Sequence, residues 1–218
     1  MIVFLPEKIN KIFSNFQRHY TQKIDNATPR NYNCNINKRR RQMTKSSKMP
    51  TPNVRLAACE LVDVLREKNL KIATAESCTG GLIAKLITDI PGASSIFECG
   101  ICAYSDSIKE NLLSVTSRTL AQHTAVSKET AMEMAANVKK LSNADIGLST
   151  TGFAGPKNPR EVDKTGLVYV GISNMTKTTY LQLSLYQGRH CTRDFIRTAA
   201  AYKAIVAALD LIKTGSIK

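Results

Sequence analysis

Ser77 lies in the stretch Ala75-Glu76-Ser77-Cys78-Thr79-Gly80-Gly81, directly after the apolar run Leu70 to Ala75. This order puts a hydroxyl at the end of an expected strand, followed by glycines that let bare backbone approach a ligand. A helix start is expected close behind. The first turn of a helix has unpaired N–H groups and positive partial charge, which suit a developing oxyanion or a phosphate. From these residues alone the turn is open to four readings: a serine nucleophile, a phosphate cradle, a thiol site at Cys78, or a plain corner. Cysteine is among the most buried residue types, which favours a core role for Cys78.

A serine hydroxyl needs a base to take its proton. Of the three histidines, His19 is in a polar N-terminal tail. His123 falls in an expected loop after Leu120, and His190 follows Gly188-Arg189. Each suits a structural or surface role. A lysine can replace histidine when burial among apolar groups leaves its amine neutral. Lys109 follows a strand expected over Ile96 to Tyr104, on a short helix expected from Ser105 to Leu113. If that strand neighbours the one before Ser77, both residues emerge at one sheet edge, where α/β folds bind ligands. The competing reading is an exposed lysine beside Glu110.

Two further groups are candidates. Thr150-Thr151-Gly152-Phe153-Ala154-Gly155-Pro156 is a second small-residue loop after an expected strand. Arg189, Arg193 and Arg197 are spaced four apart and would share a helix face able to grip a phosphate through forked hydrogen bonds. Cys99-Gly100-Ile101-Cys102 has the spacing of a metal or redox pair. Residues three apart in a strand face opposite ways, so two core thiols are expected instead. No His/Asp/Glu cluster has metal-ligand spacing.

The elements that would position these residues occupy only part of the chain. Of 218 residues, 43% are hydrophobic, enough for one well-buried domain with an appendage. The net charge is +14, but residues 1–50 contain 11 Lys+Arg against 2 Asp+Glu, leaving 20 basic and 15 acidic residues elsewhere. The excess is therefore mostly in the N-terminal segment, which argues against a basic nucleic-acid-binding face on the domain. We read residues 1–52 as a basic, disordered extension, with a short amphipathic stretch up to Phe16 and the run Lys38-Arg39-Arg40-Arg41. Residues 53–218 form the expected domain. No apolar run approaches the roughly 20 residues that cross a bilayer, so no membrane partner is expected. The six cysteines lack a disulfide rhythm, which suits reduced thiols and a cytoplasmic location. The tail would equally suit a mitochondrial presequence or an upstream extension of a bacterial protein.

Helical spacing runs from Val54 to Lys68, a strand spans Leu70 to Ala75, and a helix is expected from Gly80 to Asp89 before Pro91-Gly92. Ser127 is placed to cap a helix reaching Leu141. A strand follows over Asp145 to Thr151, then a polar loop to Thr165. Gly166 to Ser173 and Thr179 to Leu185 form an expected antiparallel pair, and a last helix covers Thr192 to Lys213. This order predicts a single-domain α/β sandwich with a mixed, partly parallel sheet flanked by helices. A homo-oligomer is compatible with the expected hairpin edge.

Together these motifs resemble the C-terminal domain family of CinA over residues 54–213. The likeness rests on the Ser77 stretch, Asp89-Ile90-Pro91-Gly92-Ala93-Ser94, Tyr104-Ser105 with Lys109, and Leu120 to Ser127. It continues through Thr151 to Pro156, Gly166 to Gly171 and Gly188-Arg189. Enzymatic members of the family are nicotinamide-nucleotide amidases. The resemblance implies a Ser/Lys amidohydrolase that converts nicotinamide mononucleotide to nicotinic acid mononucleotide and ammonia, with no cofactor and no metal. It implies Ser77 as nucleophile, Lys109 as base and Tyr104 as a hydrogen-bonding partner. Backbone N–H groups of Thr79, Gly80 and Gly81 would receive the oxyanion. Thr151 and Gly155 would lie near the substrate, and Arg189 or Arg193 would hold its 5′-phosphate. The alternative is a non-catalytic nucleotide-binding or interaction module of the same fold. The chain departs from the family pattern at Lys157-Asn158, where glycines are usual, at Thr124 for glycine, and at Asp106 for asparagine.

Overall fold

In the computed structural model, which describes residues 53–156, 164–185 and 192–214, the apolar run before Ser77 becomes the middle of a sheet. The N-terminal extension, Lys157-Asn158, Arg189 and His190 lie outside the described residues. Strand β1 (Ile72–Glu76) is buried along its whole length. It lies between β2 (Phe97–Cys102) and β3 (Ile146–Gly152) and runs parallel to both. β4 (Leu167–Ser173) and β5 (Thr178–Ser184) extend the sheet antiparallel beyond β3, giving the order β2-β1-β3-β4-β5.

Helices cover both faces, as a central strand without a solvated side requires. On one face, α1 (Val54–Glu67), α2 (Leu82–Thr88) and α6 (Arg193–Thr214) share a core with Ile72, Leu148, Val170 and Ile172. On the other, α5 (Lys128–Ser142) packs on Ala73 and Ala75. Two short helices, α3 (Asp106–Asn111) and α4 (Ser117–His123), lead from β2 to α5. The architecture is the expected mixed-sheet α/β sandwich.

Local chemistry sets most boundaries. The Asn53 side chain accepts from the Leu56 N–H at 3.1 Å to start α1, and the Ser127 hydroxyl accepts from the Thr130 N–H at 3.1 Å to start α5. Asn143, left-handed at φ 52°, ends α5. Helix α2 begins two residues later than its sequence suggests. Gly80 (φ 60°) and Gly81 (φ 86°) are left-handed, so the helical basin is first entered at Leu82.

Two expectations need correction. His123 is not in a loop but ends α4, a seven-residue helix too short to display an apolar stripe. Nor are Cys99 and Cys102 two core thiols. β2 is an edge strand, so Cys99 is only half-buried and Cys102 is exposed.

The close approach of α5 depends on small residues in β3 and β4. A Cβ on Gly147 or Gly171 would collide with the carbonyl oxygens of Ala135 or Ala131. Ser149, paired with Gly171 across the ladder, donates to the Ala131 carbonyl at 2.6 Å.

Candidate active site

Because β1, β2 and β3 run parallel, their C-terminal ends and following loops meet at one edge of the sheet. Ser77 extends the β3 ladder by one residue, and the β2 ladder ends on the residue before it. The Ser77 N–H donates to the Thr150 carbonyl at 2.9 Å on the β3 side, while Ala103 on the β2 side donates to the Glu76 carbonyl at 2.8 Å. The serine therefore leaves a backbone held from left and right, and it is 8% exposed.

Glu76 has a role its sequence position does not advertise. The period of two along β1 puts its side chain on the same face as Ile72, toward α2. There its carboxylate accepts from the N–H groups of Ile83 at 3.0 Å and Ala84 at 2.8 Å. A buried carboxylate thus caps the helix whose free N–H groups were expected to face a ligand. Upstream, the Gly80 N–H donates back to the Ser77 carbonyl at 3.2 Å, so that donor closes the turn and is not left for an oxyanion. The Thr79 hydroxyl pairs with that of Thr150 at 2.7 Å.

Cys78 is buried beside the serine. Burial is the main cause that pushes its thiol from 9.0 up to about 11, while the Thr150 side chain and nearby backbone N–H groups oppose the rise. It is a protonated neighbour at neutral pH. Cys102 is also raised, chiefly by partial burial and then by the Glu76 carboxylate, with Arg197 working against it.

Among the described residues, Lys109 is the largest fully buried side chain, at 1% exposure. Its Nζ donates to the Tyr104 carbonyl at 3.2 Å and lies 3.6 Å from an Asp106 carboxylate oxygen. Glu110, the partner in the exposed-lysine reading, instead accepts from the Ser117 hydroxyl. A six-residue helix has thus turned a lysine inward toward the loop that follows β2, the strand beside Ser77's own.

The first two turns of α6 supply two arginines to the same edge. Arg193 donates through Nη1 to the Gly155 carbonyl at 2.5 Å and through Nη2 to the Tyr104 hydroxyl at 3.1 Å. Arg197 donates through Nη2 to the Thr79 carbonyl at 2.7 Å. The four-residue spacing correctly put them on one face, but both engage the protein's own loops. Thr151 is buried at the end of β3, with its hydroxyl donating to the Ala125 carbonyl at 2.6 Å. Arg189 lies outside the described residues. Ser77, Thr79, Gly80, Gly81, Tyr104, Lys109, Gly155 and Arg193 thus belong to contiguous or directly bonded segments at one edge. Sequence reasoning quoted Glu76 and Thr150 within its motifs but missed the cap made by Glu76, the Thr79–Thr150 hydroxyl pair and the partner of Arg197.

Among the described residues, no group of three or more His, Cys, Asp or Glu gathers as a metal site. None of their helices is long and apolar enough to cross a membrane.

Comparison with known proteins matches this geometry to a family. The model of the CinA C-terminal domain matches residues 55–212. A putative competence-damage inducible protein of Caldanaerobacter subterraneus subsp. tengcongensis is 46% identical over 153 residues, covering 70% of this chain and 35% of that protein. One from Acetivibrio thermocellus is 45% identical over 150 residues, covering 69% and 34%. The chain spans about a third of the length of these curated relatives. Among solved structures, competence/damage inducible protein CihA from Agrobacterium tumefaciens has a TM-score of 0.68 at 29% identity, covering 77% of this chain and 99% of that one. A CinA superfamily protein from Enterobacter cloacae has a TM-score of 0.69 at 27% identity, covering 78% and 99%.

Proposed function

The chain belongs to the CinA C-terminal domain family, and from that premise we propose that it is a nicotinamide-nucleotide amidase acting on nicotinamide mononucleotide. The observation that carries this reading is Lys109: a fully buried lysine whose Nζ sits on the Tyr104 carbonyl, in the loop flanking the Ser77 strand end.

In the proposed reaction the Ser77 hydroxyl oxygen attacks the carboxamide carbon, and its proton passes to Lys109 Nζ. The tetrahedral intermediate collapses as that proton reaches the departing nitrogen, which leaves as ammonia. The acyl-serine ester is then cleaved by water, releasing the nicotinate nucleotide and regenerating Ser77. Backbone N–H groups of Thr79 and Gly81 are the proposed oxyanion donors, since that of Gly80 closes the turn. Two of the five guanidinium donors of Arg193 have acceptors among the described residues, and its other donors are the proposed grip on a 5′-phosphate. Arg189 is the second proposed phosphate ligand. No step calls for a metal or cofactor, so chelation should leave turnover unchanged.

The test is ammonia release from nicotinamide mononucleotide by wild type and Ser77→Ala. Loss of release in the variant supports the reading, and near-wild-type release overturns it. Binding without ammonia in wild type would mark a nucleotide-binding module instead.

A further inference from the structure

We propose that Arg197 is a positioning residue that fixes one peptide plane of the Ser77 turn. Its effect on turnover rests on the amidase reading, whereas its effect on the turn does not. Arg197 Nη2 donates to the Thr79 carbonyl at 2.7 Å from 118 residues away in the chain. The other side of the same peptide, the Gly80 N–H, donates to the Ser77 carbonyl at 3.2 Å. A trans peptide is planar, and its C=O and N–H point in opposite directions. These two bonds, with a longer one from the Leu82 N–H to the same carbonyl at 3.4 Å, pin the Thr79–Gly80 plane from both sides.

The guanidinium also lies against Gly80: a Cβ there would be 3.3 Å from Nη2, and φ is +60°. The turn is thus shaped around this side chain. The bond is charge-assisted and correspondingly strong. The Thr79 side chain is held separately by Thr150, so Arg197 acts on the main chain alone. Without it, only the longer bond from the Leu82 N–H is left on that carbonyl, the Thr79–Gly80 plane can tilt as a unit, and Ser77 loses its attack geometry with no loss of a substrate contact. That pattern lowers kcat and leaves KM nearly unchanged.

The 218-residue chain as wild type, Arg197→Ala and Arg197→Lys is compared by ammonia release from nicotinamide mononucleotide and by hydrogen exchange over residues 76–84. Arg197→Ala is expected to lose about tenfold or more in kcat with KM within about threefold. The Gly80 amide should exchange at least about tenfold faster, while peptides of α5 exchange as in wild type. Arg197→Lys keeps the charge and a donor, and should fall between the two in both readouts. It makes the same comparison if Arg197→Ala does not fold. Unchanged exchange at Gly80, or a raised KM with kcat intact, overturns the proposal. If wild type releases no ammonia, the amidase reading fails by itself, and exchange at Gly80 still decides the role of Arg197.

Discussion

Lys109 Nζ donates to the carbonyl oxygen of Tyr104 at 3.2 Å, while the Tyr104 hydroxyl accepts from Arg193 at 3.1 Å. The backbone of Tyr104 thus holds the buried lysine, and its 65%-exposed side chain reaches α6. One residue ties the proposed base to the proposed phosphate corner.

If Lys109 carries the proton of Ser77, Lys109→Met should retain the fold, because the side chain is of similar length and apolar, but lose about 100-fold or more in ammonia release. Lys109→Arg should lose as much, since a guanidinium cannot give up its proton. Steady-state kinetics alongside thermal melts check this. Turnover within a few fold of wild type in Lys109→Met would remove Lys109 from the mechanism.

Glu76 offers two carboxylate oxygens to two N–H groups of α2. Glutamine offers one oxygen and turns an NH2 toward the second donor. Glu76→Gln should therefore lose about 1–3 kcal/mol of stability. In urea titrations this appears as a lower midpoint with an unchanged slope. An unshifted midpoint would mean that the cap contributes nothing.

Cys78 makes stability depend on alkaline pH. Its thiol is raised from 9.0 to about 11 in the fold, chiefly by burial, so the native state favours the protonated form. The stabilisation is complete below pH 9.0 and is lost as pH rises toward about 11. At full effect it amounts to roughly 3 kcal/mol. Cys78→Ala should lose correspondingly less stability than wild type between pH 8 and 11 in urea titrations. Equal losses in the two proteins would contradict this.

Gly171→Ala should be among the most disruptive single-methyl changes in the fold. Its Cβ would run into the Ala131 carbonyl, which is backbone and cannot rotate away. We expect a loss of about 3 kcal/mol or more, read as a fall in melting temperature. A variant as stable as wild type would show that α5 can move off the sheet.

Several elements were legible because their causes are local. Asn53 and Ser127 cap helices within three residues of themselves, and the glycines after Thr79 set where α2 can begin. Helix α4 was not legible, since seven residues make two turns and show no stripe. Cys102 was misjudged because burial of a strand residue depends on whether that strand is central or at an edge.

At the site, residue types and order made Ser77, Lys109 and the arginines candidates among others, and only the resemblance to a family added Tyr104 and gave each a role. Apart from α4, the sequence alone also determined the strand–helix order and the α/β class, through periodicity and capping that act within a few residues. Tertiary structure decided the rest: that Lys109 is buried, that Glu76 caps α2, and that Arg197 holds the turn at Thr79. Burial depends on every element packed around a side chain, and a bond spanning 118 residues leaves no periodic trace in either segment it joins.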